Sequence, residues 1–151
     1  MVLLSLAETV GRRLRKDDAQ IEVVSISIRF YDFSYISHQC VLRSPTNITK
    51  EIHDAACRLF DELWDGTPIR HLGVHTGRVR RDGSNRQLTL FDDTDYEKLE
   101  RLDRAIDSIR ERFGADAVQR ASFLRHDRID HMSGGISREK RTVDYSNEKV
   151  R

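Results

Sequence analysis

Two histidine patterns and one run of arginines are the places where this 151-residue sequence could do chemistry. His53 and Cys57 stand four apart, on one face if the segment is helical, and could offer two metal ligands. No third or fourth ligand stands at useful spacing, so Cys57 reads as core and His53 as helix surface. His126 and His131 lie in a polar C-terminal stretch that cannot preorganise a metal site. Cys40 and Cys57 are the only cysteines and form no C-x-x-C pair, which suits two reduced thiols in the cytoplasm. Gly-rich phosphate loops, a nucleophile elbow and a GxGxxG fingerprint are missing, and most acids are interleaved with lysines and arginines on helix faces. A metal-dependent polymerase, nuclease or phosphatase needs convergent carboxylates. No catalytic residue, metal ligand or cofactor is therefore assigned, and the residues argue against an enzyme.

The arginines carry the positive signal. Between Gly66 and Arg86 stand Arg70, Arg78, Arg80, Arg81 and Arg86, with Asp82 as the one acid, and His71 and His75 alternate with Gly73 and Gly77. On an exposed strand face, glycines let a phosphate backbone approach closely and arginines offer forked donors to its oxygens. The same arginines could equally keep a loop soluble.

These residues need elements to hold them. Hydrophobic residues make up 38% and charged residues 34%, enough for one packed core with much solvated chain around it. With 26 Lys and Arg against 25 Asp and Glu, the net charge of +1 gives no global pull toward a polyanion, so any basic surface comes from local clustering. Met1 to Ala7 lacks the basic start of a signal peptide and the length of a membrane span, so a cytoplasmic protein without a membrane partner is expected. Leu3, Ala7, Val10 and Leu14 predict a helix over residues 2–16, and Val24, Ile26, Ile28 and Phe30 alternate as a half-buried strand over 21–30. Residues 33–43 predict its hairpin partner, with Ser44 to Asn47 breaking the strand and supplying helix caps. Ile52, Ala55, Ala56, Leu59, Phe60, Leu63 and Trp64 predict a second helix ended by Asp65-Gly66, and Ile69 to Val79 a further strand. Tyr96, Leu99, Leu102, Ile106, Ile109 and Phe113 predict an apolar stripe on a third helix over about 94–113, with Gly114 ending it. Residues 125–151 read as a mostly disordered tail.

Pro68-Ile-Arg-His-Leu-Gly-Val74, the helix Ala55-Ala-Cys-Arg-Leu-Phe-Asp-Glu-Leu-Trp64 and the turn Phe30-Tyr-Asp-Phe-Ser34 resemble the little-finger domain of Y-family, lesion-bypass DNA polymerases. Gln87-Leu-Thr-Leu-Phe91 is similar to the bacterial sliding-clamp binding pattern, and Glu100 to Gly114 with Arg120 to Leu124 to the C-terminal extension of that branch. The resemblance implies an α+β fold: an antiparallel sheet on two helices, split βαβ-like, with an extra C-terminal helix. It divides the chain into a DNA-binding domain over 1–79, a clamp-binding loop over 80–93, a helical extension over 94–124 and the tail over 125–151. The family carries a further strand before the first helix, so one strand of a four-stranded sheet is expected to be missing. The open edge could then be filled by residues 87–91, by Arg141 to Tyr145 or by a second copy in a dimer.

Function follows from the same resemblance. It implies that primer–template DNA lies along the helix-free sheet face, held by Arg29, Arg78, Arg80 and Arg81 as constant cations and by His38, His71 and His75 as titrating ones. Gln87, Leu88, Leu90 and Phe91 would enter a sliding clamp. The palm, fingers and thumb are absent from the chain, and with them the magnesium-binding carboxylates of a DNA-directed DNA polymerase. The expected role is a non-catalytic module for DNA repair by translesion synthesis across damaged DNA. A protein–protein adaptor that never touches DNA is the alternative.

Overall fold

Gln20–Phe30 forms the central strand, β1, of a three-stranded antiparallel sheet in the computed structural model, which describes residues 1–81 and 95–123. Tyr35–Thr46 (β2) pairs on one side of β1 and Ile69–Arg80 (β3) on the other. Because both neighbours run antiparallel to β1, they are parallel to each other, and helix α2 (Thr49–Leu63) carries the chain over β1 between them. This is the split βαβ arrangement, preceded by helix α1 (Val2–Lys16) and followed by helix α3 (Tyr96–Phe113).

The alternation of β1 decides which sheet face is covered. Val24, Ile26 and Ile28 are fully buried against Leu3, Ala7 and Leu14 of α1 and Ile52, Ala55, Ala56 and Leu59 of α2. Burying a side chain of that size contributes roughly 1.5–3 kcal/mol, so this strip outweighs any single polar contact in the fold. Cys40 lies among the residues packed against this core, and burial raises its thiol pKa. Ile21 is also fully buried although it stands three residues from Val24, so the alternation slips between them. The slip coincides with an irregular register: Val23 faces Val41, but Ile21 faces Thr46. Here β2 departs from expectation, running through Ser44-Pro45-Thr46 instead of stopping at Arg43. Pro45 lacks an N–H, which an edge strand with such an irregularity tolerates.

The polar residues after β2 do not cap α2 in the expected way. Its N-cap position is Ile48, which has no capping side chain. Thr46 Oγ1 accepts from Ile48 N at 3.0 Å, and Asp103 Oδ2, on α3, accepts from Thr49 N at 2.7 Å. Asp103 thus brings a carboxylate to the positive end of α2 from a distant part of the chain.

Asp103 belongs to a buried ionic network centred on Arg15. Arg15 Nη1 donates to Asn47 O (2.7 Å), Asp103 Oδ2 (3.1 Å) and Thr49 Oγ1 (3.3 Å), while Nε donates to Asp107 Oδ2 at 2.6 Å. Gly11 makes room for it: a Cβ there would lie 2.9 Å from Arg15 Nη1 and 3.0 Å from Thr49 Oγ1. One turn up, Glu8 accepts from Arg110 Nη1 and Nη2 at 3.2 and 3.3 Å and from Arg120 Nε. The helix therefore docks on α1 through charges. Its apolar stripe is divided: Leu99 and Ile106 are half-buried on the side of the buried Asp103 and Arg110, whereas Leu102, Ile109 and Phe113 are exposed. Asp95 caps α3 by accepting from Lys98 N at 2.9 Å, and Gly114 at φ 98° ends it.

Candidate nucleic-acid interface

With α1 and α2 on one face, the other face of the sheet is built from rungs that the strand register defines. Arg29 of β1 stands between Tyr35 of β2 and His71 of β3. The next rungs are Ser37–Ser27–Gly73, Gln39–Ser25–His75 and Val41–Val23–Gly77. None of these positions is acidic.

Period-two alternation puts these side chains opposite the buried Ile26 and Ile28. The middle of the face is flat because Gly73 has no side chain: a Cβ there would lie 2.8 Å from Ser27 Oγ and 3.1 Å from His75 Nε2. The His75 ring instead leans across Gly73, with Nε2 hydrogen-bonded to Ser27 Oγ at 2.8 Å. Ser27 is buried beneath it, while His75 and Arg29 remain exposed. A cation, an imidazole held in one orientation, hydroxyls and an amide thus share one surface without a competing carboxylate. Such a surface can donate to phosphate oxygens.

The structure brings together three of the seven expected DNA-binding residues on these rungs, namely Arg29, His71 and His75. Arg80 lies opposite Gln20 at the far end of β3, its Nε 2.6 Å from Glu22 Oε1, so its charge is partly matched within the protein. Arg78 takes a left-handed backbone conformation at φ 50°, and Arg81 is exposed just past the strand. His38 stands apart. It faces the fully buried Ile26, on the helix side of edge strand β2, with Nε2 3.7 Å from Glu62 Oε2 of α2. The hairpin register moves it off the face because its neighbours in sequence, Ser37 and Gln39, occupy the rungs. Those two residues, with Ser25, Ser27 and Tyr35, went unassigned in the sequence reading. The same alternation applied across β2 would have found them.

His53 and Cys57 come together on α2, with Sγ 3.3 Å from Nε2. Desolvation lowers the His53 pKa and raises that of Cys57, so the neutral forms of both are favoured. Among the described residues there is no group of three or more His, Cys, Asp or Glu side chains that could hold a metal ion. No helix among them is long and apolar enough to cross a membrane. Gln87, Leu88, Leu90 and Phe91 lie outside the described residues.

A sequence model of the impB/mucB/samB family C-terminal domain matches residues 1–90, which include the whole sheet and its two covering helices. The chain belongs to that family. It is 40% identical over 127 residues to a Bacillus subtilis protein named DNA polymerase IV 2, covering 82% of this chain and 30% of the relative. It is 35% identical over 123 residues to DNA polymerase IV of Clostridium acetobutylicum, covering 82% and 31%. A third relative, from Acetivibrio thermocellus and also named DNA polymerase IV, is 35% identical over 126 residues, covering 82% and 32%. The chain therefore spans about three-tenths of the length of these relatives. Both the family domain and the α+β fold agree with the little-finger resemblance read from the sequence.

Proposed function

We propose that this chain is the DNA-gripping and clamp-tethering module of a cytoplasmic bacterial translesion DNA polymerase. The open sheet face takes primer–template DNA and Gln87 to Phe91 takes the sliding clamp. The observation that carries the DNA half is the acid-free set of rungs bearing Arg29, His71 and His75. Nucleotidyl transfer, with its magnesium, belongs to a catalytic domain of the kind the relatives' name requires.

Binding to a labelled duplex should be sequence-independent and fall steeply with salt, because each phosphate neutralised releases counterions. Arg29→Ala should weaken it on every sequence and lower the log–log salt slope by about one. Anisotropy titrations at two salt concentrations check both outcomes. Salt-independent, weak binding would favour the adaptor reading, to which the exposed Leu102, Ile109 and Phe113 lend a surface.

We also infer association at an open sheet edge, since β2 and β3 are both edge strands of the three-stranded sheet. Light scattering should show a dimer, and a variant ending at Leu124 should change the oligomeric state or the melt if residues after it fill the edge. Monomers of equal stability in both would remove the edge from the assembly.

A further inference from the structure

Beyond the duplex-binding rungs, the hairpin end of the sheet joins exposed rings to cations. Tyr31, Phe33 and Tyr35 are 64%, 61% and 58% exposed, around a β1–β2 turn held by Phe30 N donating to Ser34 O at 3.0 Å and Phe33 N to Phe30 O at 3.1 Å. Exposing several large rings together on one turn is costly in water, which favours a surface meant to be covered.

The backbone adds an independent observation. Phe33 has φ 69°, a left-handed conformation that is unfavourable for a bulky L-residue and that glycine would adopt freely. The turn's hydrogen bonds hold it there, so a strained backbone presents the ring to solvent instead of tucking it against the sheet.

The cations are placed by a second irregularity. Arg29 pairs with His71 but Phe30 pairs with Ile69, which leaves Arg70 as the extra residue of a bulge. Bulges re-aim side chains, and the Arg70 guanidinium carbon lies 4.7 Å over the Phe33 ring. Arg29 stands in the rung between Tyr35 and His71. The acid of the turn, Asp32, is tied back into it, accepting from Ser34 N at 2.9 Å and Ser34 Oγ at 2.6 Å.

We infer that this end of the sheet is a stacking platform for unpaired nucleotides, with Phe33 and Tyr35 receiving bases and Arg29 and Arg70 the flanking phosphates. Every base has a π-face, whereas a paired base has its faces covered by its neighbours, so rings alternating with arginines suit single strands better than duplex. The inference rests on the DNA-binding reading and adds a second mode to it: duplex on the rungs, single strand at the turn.

The test uses the full chain, a labelled 12-nucleotide dT strand, and a duplex of equal length, by anisotropy at fixed salt. The parent should bind both. Phe33→Ala/Tyr35→Ala should lose about 10-fold or more on the single strand, as expected when stacked bases lose their rings, and about 2-fold or less on duplex. Phe33→Trp should keep single-strand affinity and show tryptophan quenching by dT beyond that of the parent, whose one tryptophan is Trp64. A parent that binds duplex but not dT would overturn the platform and leave the duplex reading standing, whereas binding of neither would overturn both. Unchanged dT affinity in the alanine variant, or equal losses on the two ligands, would also overturn the platform and turn the rings into a protein-contact surface. If the alanine variant does not fold, absence of extra quenching in Phe33→Trp overturns it alone.

Discussion

Replacing Leu90 and Phe91 with alanine is expected to abolish binding to a bacterial sliding clamp while leaving the thermal melt nearly unchanged. An extended Gln-Leu-Thr-Leu-Phe peptide offers two apolar anchors and one amide, and in such motifs most of the binding energy sits in the anchors. Modest starting affinity makes the loss complete in practice: ordering a peptide already offsets much of the gain from a few anchors. Among the described residues, the core is built by α1, the sheet and α2, so a melt reads its integrity directly. Surface plasmon resonance against the clamp, paired with a melt of the same samples, checks the two halves together. A drop of many degrees would place Leu90 and Phe91 in the core and remove them from the clamp.

The second large effect is on stability. Asp103→Ala should destabilise the fold by roughly 2–4 kcal/mol, because it leaves the buried Arg15 guanidinium with Asp107 as its remaining carboxylate and strips the acceptor from Thr49 N. Raised salt should rescue little of this, since Arg15 and Asp103 side chains are only 5% and 7% exposed and screening acts on solvated charges. Gly11→Ala should also destabilise, although alanine gains about 1 kcal/mol of helix propensity over glycine. Its Cβ would press on Arg15 Nη1 2.9 Å away, and three acceptors on Nη1 with a fourth on Nε hold the guanidinium in place. Urea unfolding of the three proteins measures both effects. A loss below about 1 kcal/mol for Asp103→Ala would mean that α3 is not part of the cooperative unit.

The contrast between these regions shows what could be read from residue order. Alternation in β1 and the Ile52 to Leu63 spacing in α2 locate the core because burial there is a local matter of period. Strand β2 begins two residues later and ends three residues later than expected, running through Pro45, where being an edge strand cancels proline's usual penalty. Helix α3 keeps nearly the expected ends, but charged side chains fill the buried side that Leu99 and Ile106 share. Asp103 and Arg110 look like solvated charges until Arg15 and Glu8, 88 and 102 residues away, are seen to meet them. His38 departs for a different reason: alternation in β2 sets it opposite Ser37 and Gln39, and pairing with the buried Ile26 turns that side toward the helices.

Docking α3 on α1 also sets a length of leash. Residues 81 and 95 are 14 positions apart and each belongs to the described body, so whatever is held by the intervening chain is tied at two points. At roughly 3.3–3.6 Å per residue, Leu90, five positions before Asp95, can never be farther than about 18 Å from the start of α3. A clamp bound there would orbit in a narrow shell beside the protein instead of trailing from a free end. Cutting the chain between Phe91 and Asp95 would leave the peptide attached through Arg81 but release that restraint, changing where the two partners can sit without changing a single contact between them.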